Sequence, residues 1–121
     1  MIKVVVFLNR LPHLDRAAFR DYYETVHAPK IAGLLPMMAV YERNYPDAAK
    51  VRPAAGQSLD DAIGFDAMTV MKFANREDFR AWKSAMQDPE LMRVIREDEA
   101  NFLDSGNMRL FVVDECVNAM T

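Results

Sequence analysis

The two segments of strongest strand character, at either end of the chain, are apolar on both of their alternating faces. Ile2-Lys3-Val4-Val5-Val6-Phe7-Leu8 sets Val4, Val6 and Leu8 against Val5 and Phe7, and Met108 to Glu115 sets Leu110 and Val112 against Phe111 and Val113. Successive side chains of a strand point to opposite faces of the sheet, so an antiparallel strand with one wet face reads as apolar alternating with polar. Here both faces read as dry. Helices packed on one face of a single sheet leave the other open, and an apolar patch of that extent exceeds what monomers usually expose. The pattern predicts helices on one side of the sheet and a second copy of the chain on the other.

Between these strands the periodicity changes. Asp15 offers an N-cap, and Phe19, Tyr22, Tyr23, Val26 and His27 recur at spacings of three and four, predicting a helix over about Arg16 to Val26. Pro29 disfavours helical backbone at Ala28, which places His27 at a helix end and makes Lys30 to Leu35 a short turn before Pro36. Met37 to Tyr45 reads as a second strand, stopped by Pro46. Residues 46–64, with Pro53, Gly56, Ser58 and Asp60-Asp61, show no period that buries a face and read as a long loop, either a lid over a pocket or a solvated flap. Phe65 to Phe73 is a third strand. Asn75 caps the next helix, with Asp78 at its acidic third position, and Phe79, Trp82, Lys83 and Met86 share one face. Asp88-Pro89 opens a further helix running towards Phe102, and Gly106-Asn107 ends the helical region. The order β-α-β-β-α-α-β predicts an α+β, ferredoxin-like subunit over residues 1–121: a four-stranded antiparallel sheet with helices on one face.

Composition narrows the function classes. The chain has 121 residues, 51% of them hydrophobic, enough for one core without disulfides or metal. A formal net charge of -3 with no Lys/Arg cluster lacks the electrostatic footprint of a nucleic-acid or anionic-lipid binder. Ile2 to Leu8 is too short for a membrane span and lacks a signal-peptide cleavage region, so a cytoplasmic protein is expected. The single cysteine, Cys116, cannot pair within the chain and reads as a small hydrophobe. Nine methionines supply adaptable apolar surface to a pocket or a core alike.

No glycine-rich phosphate loop, Gly-x-Ser-x-Gly elbow, cysteine pattern or metal-ligand cluster is present, so no cofactor and no metal are expected. Glu97-Asp98-Glu99 with Asp104 reads as a solvated helical charge run. Of the two histidines, His13 lies in a polar connection. His27 stands one turn after Tyr23, close enough for the phenol to hold the imidazole in one tautomer. An imidazole titrates near neutral pH, which suits dehydration, decarboxylation or isomerisation without a cofactor. His27 equally suits capping a helix C-terminus, and spacing does not separate the two roles. Tyr22, Phe19 and Trp82 fit a core stripe as well as a pocket wall.

The run Phe19-Arg20-Asp21-Tyr22-Tyr23-Glu24-Thr25-Val26-His27-Ala28-Pro29 resembles the EthD family, whose first helix closes on an aromatic pair followed by histidine and proline. Further similarity lies in Tyr41 to Asn44, in Phe65-Asp66, and in Asp98 to Phe102 before a closing Glu115, so nearly the whole chain is covered. The resemblance implies a dimeric α/β barrel, two ferredoxin-like subunits packed sheet on sheet. It places the family's helix histidine on His27, its aromatic pair on Tyr22 and Tyr23, and its strand residues on Tyr41, Asn44 and Asp66. The family often carries a glutamate and a tryptophan in the third strand, where this chain has Val70 and Lys72, so no carboxylate for His27 is implied there. The family's chemistry is looser, being related to oxidoreductases, polyketide dehydratases and decarboxylases and muconolactone isomerases.

Together these readings predict a cofactor-independent lyase or isomerase acting on an oxygenated cyclic or aromatic small molecule. His27 would be the general acid/base and Tyr23 its orienting partner, with Tyr22, Tyr41, Asn44, Asp66, Trp82 and Phe102 binding substrate between the helices and the sheet. The alternatives are a cofactor-free oxygenase or oxidoreductase and a non-catalytic ligand-binding dimer.

Overall fold

The computed structural model describes residues 1–120. Strands β1 (Ile2–Leu8), β2 (Val40–Asn44), β3 (Ala67–Phe73) and β4 (Arg109–Val113) form one antiparallel sheet in the order β2-β3-β1-β4. Helices α1 (Arg16–Tyr22), α2 (Ala28–Leu34), α3 (Leu59–Ile63), α4 (Arg76–Ala85) and α5 (Pro89–Glu99) complete the ferredoxin-like arrangement. None is long and apolar enough to cross a membrane. The caps read from sequence form: Asp15 accepts from the Ala18 N–H at 2.7 Å, Asn75 from Asp78 at 2.8 Å, and Asp88 from Glu90 at 2.9 Å with Pro89 opening α5.

Two expectations are corrected. The first helix does not end at His27. A single π-turn, Tyr23–His27, joins α1 to α2, and the Ala28 N–H donates to the Tyr23 carbonyl five residues back. A proline in a regular α-helix would clash with the carbonyl four residues earlier, and the wider turn relieves that clash for Pro29, so the run continues to Leu34. Residues 46–64 are not one loop either. Ser58 accepts from the Asp61 N–H and caps α3, which closes at Gly64 in the left-handed conformation (φ 75°), and Ala48–Lys50 forms a 3-10 turn.

Val4, Val6 and Leu8 of β1 and Ala67, Thr69, Met71 and Phe73 of β3 face the helices and are buried with Phe19, Tyr23, Trp82, Ile95 and Phe102. On the far face, Phe7 meets Phe65 and Phe111 edge-on at 5.1 and 6.1 Å. β4 is the exception to the burial of apolar strands: Leu110, Phe111 and Val112 remain 49%, 48% and 59% exposed. In a single chain that strand is wet on both sides.

Candidate active site

Between the helical run and the sheet lies a cavity of about 210 Å³, walled largely by aliphatic side chains of β1, β3, α2 and α5. Tyr23, His27, Ile31 and Leu35 line it at successive spacings of four. A regular α-helix repeats every 3.6 residues, so spacings of four drift round the cylinder by about 40° each time. The π-turn carries the extra residue per turn that keeps Tyr23 and His27 on the same wall.

His27 and Asp98 are both 5% exposed, and Nδ1 of the imidazole lies 2.6 Å from Oδ2 of the carboxylate. The other carboxylate oxygen accepts from the Tyr22 hydroxyl at 2.7 Å and from Lys30 Nζ at 3.3 Å. Burial alone would push the Asp98 carboxyl up, but these donors outweigh it and hold the group below its usual range. Burial pushes the His27 imidazole down from its ordinary value, against the opposing pull of Asp98. Both shifts favour one state: a neutral imidazole with its proton on Nδ1, donating to an anionic Asp98. That tautomer leaves the Nε2 lone pair free, and Nε2 has no hydrogen bond among the described residues. Phe102 backs the ring at 4.8 Å.

Tyr23 plays a different part from the one expected. Its hydroxyl pairs with Thr69 Oγ1 at 2.6 Å and accepts from the Tyr41 hydroxyl at 3.2 Å, while its ring meets His27 edge-on at 5.6 Å. Burial raises both phenols, which keeps them protonated. Tyr41 is set by β2, where Arg43 stacks at 4.8 Å over its ring and binds both oxygens of Glu24 at 2.8 and 3.0 Å. Trp82 also lines the cavity, and its buried Nε1–H has no acceptor among the described residues.

The EthD domain matches residues 11–106. The chain belongs to the EthD family. A curated relative, named conidial pigment biosynthesis dehydratase EthD from Metarhizium robertsii, is 27% identical over 108 residues, covering 85% of this chain and 74% of the relative. An ethyl tert-butyl ether degradation (EthD) family protein from Bacillus halodurans superposes with a TM-score of 0.60 at 22% identity over 96% of this chain and 100% of its own. The hydroxynitrile lyase of Passiflora edulis does so with a TM-score of 0.53 at 12% identity over 97% and 96%. Both structures share the fold.

Of the residues matched to the EthD pattern, His27, Tyr23 and Tyr41 reach the cavity, as does Trp82. Tyr22 and Phe102 stand behind the histidine, one on Asp98 and one on the ring. Asn44 and Asp66 lie outside the cavity. Asn44 donates to the Met68 carbonyl at 3.0 Å, and Asp66 accepts from the Arg10 N–H at 2.8 Å and pairs with the Arg10 and Arg16 guanidinia. Asp60 joins the same ion cluster, tying part of 46–64 to a cleft away from His27. Asp98 is the residue that sequence reasoning passed over. It is the carboxylate partner of His27, supplied by α5 rather than by the third strand.

Proposed function

We propose that this EthD-family chain is a cofactor-independent lyase or isomerase in which His27 Nε2 takes and returns a proton at a carbon beside a carbonyl. The observation that carries the reading is the His27–Asp98 pair on the wall of an apolar cavity, with Nδ1 tied and Nε2 free. A buried carboxylate fixes the tautomer and stabilises the imidazolium formed when Nε2 accepts a proton. Positioned acid-base groups of this kind contribute roughly 100- to 10,000-fold in rate. The dehydratase name of the fungal relative is in keeping with such chemistry. A cavity of about 210 Å³ suits a compact, one- or two-ring substrate, below the roughly 300–1,000 Å³ of drug-sized sites. Tyr23 and Tyr41 bring protonated hydroxyls to the cavity wall.

The working unit is a homodimer paired through the open sheet face. The exposure of Phe111 beside Phe7 supports this, as do the solved neighbours described as dimeric ferredoxin-like proteins, from Bacteroides fragilis and Thermobifida fusca. Sedimentation equilibrium should give twice the chain mass, and a monomer at micromolar concentration would remove this part.

The catalytic reading is tested with 4-phenylbutan-2-one in D2O. Wild type should catalyse deuterium incorporation beside the carbonyl, and His27→Asn should not. Undiminished exchange by a folded His27→Asn variant would exclude His27 as the base.

A further inference from the structure

A second acidic group lines the cavity and takes no part in the His27 pair. Met92, Ile95, Arg96, Glu99 and Leu103 present one stripe to it, at spacings of three and four along α5 and just beyond. Glu99 follows Asp98 directly, and consecutive helical residues diverge by about 100°. Asp98 therefore reaches the back of His27 while Glu99 opens onto the substrate space. Its carboxyl has no hydrogen bond among the described residues, unlike Asp98, Glu24 and Asp66. Burial raises it from its ordinary value, and the Asp98 charge adds to that rise while Arg96 opposes it. Among the groups lining the cavity, the phenols of Tyr23 and Tyr41 are held protonated and Arg96 is a fixed cation. That leaves His27 and Glu99 as the two lining groups that can exchange protons, one lowered and the other raised from its ordinary value.

We infer that Glu99 is the general acid of this site and that the substrate class is a β-hydroxy carbonyl compound, from which water is eliminated. This rests on the proposed role of His27. The α C–H bond breaks, its proton passing to Nε2 and its electron pair forming the new C=C bond. The β C–O bond breaks with its pair, and the departing oxygen takes the proton of Glu99 and leaves as water. Proton return from His27 to the Glu99 carboxylate restores both groups, with no oxidation or reduction. Hydroxide is a poor leaving group, so a proton donor facing the substrate is the component that His27 alone does not supply. Two neighbouring carboxyls whose surroundings push their proton affinities apart are a recurrent way to divide such roles.

The test uses 4-hydroxy-4-phenylbutan-2-one and its 4-acetoxy ester, whose acetate departs without protonation. Glu99→Gln should slow elimination from the alcohol about 100-fold and from the acetate less than tenfold. Equal losses on both substrates would overturn the inference and make Glu99 a structural residue. His27→Asn should slow both strongly. If His27→Asn still eliminates acetate while Glu99→Gln shows the leaving-group split, the assigned base is wrong and Glu99 stands. If wild type eliminates neither substrate, the underlying reading falls and the inference with it.

Discussion

Asp98 and Glu99 are consecutive residues of α5 with the same functional group and opposite surroundings. Asp98 is buried, takes donors from Tyr22, His27 and Lys30, and is held below its usual range. Glu99 faces an apolar cavity without a donor and is pushed above its own. Identity of side chain therefore fixes little here. The number of hydrogen-bond donors sets the direction in which each carboxyl is displaced, and in the proposed mechanism that difference casts one as support for a base and the other as an acid.

The comparison breaks most directly at the histidine that reads out Asp98. His27→Asn, with circular dichroism unchanged, should lower proton-transfer turnover by about 1,000-fold. Asp98→Asn keeps an acceptor for Nδ1–H but removes the charge, and should cost roughly 100-fold in kcat. It should also move the His27 titration further down, because the carboxylate is what holds it up. In stability the two neighbours should part. Urea unfolding of Asp98→Asn should show a loss of about 2 kcal/mol, as three donors lose a charged acceptor. Glu99→Gln should change stability little, since the Glu99 carboxyl gives up no hydrogen bond.

The pH dependence of stability carries the same contrast with opposite signs. Asp98 binds protons less readily folded than unfolded, so its contribution is present above 3.8 and is lost as pH falls below it. Glu24, held at about 2 by Arg43, behaves likewise between 4.5 and 2, and the lowered His27 removes stability as pH falls below 6.5. Glu99 binds its proton more readily folded, so its contribution is present below 4.5 and is lost as pH rises through the raised value. Glu99→Gln should flatten that loss, and Asp98→Asn should flatten the acid limb. Tyr22→Phe, which leaves Asp98 two of its three donors, should have the smallest effect, about 1 kcal/mol in urea unfolding.

What the chain discloses before folding is mostly local. Asp15, Asn75 and Asp88 cap their helices through bonds to residues two or three positions on, and strand alternation is a property of the strand itself, so both were legible. Ser58, Asp61 and Gly64 also mark a helix, but Leu59 and Ile63 offer too little apolar surface for a period to show. Pro29 reads as a stop because its clash is local, whereas the π-turn that accommodates it is sustained by the packing of Tyr23 and His27 under Phe102. Asp98 is hidden between Glu97 and Glu99 in what looks like a solvated run, and its partners lie 68 to 76 positions away. The Met92-Ile95-Glu99 stripe was available in the sequence and would have separated Glu99 from its exposed neighbour Glu97.

A 15N NMR titration of the His27 ring tests the division of roles without any substrate. Nδ1 should carry the proton at neutral pH with Nε2 bare, the titration should lie below 6.5, and Asp98→Asn should move it lower still. A protonated Nε2 at neutral pH, or a midpoint above 6.5, would contradict a neutral His27 poised to accept a proton.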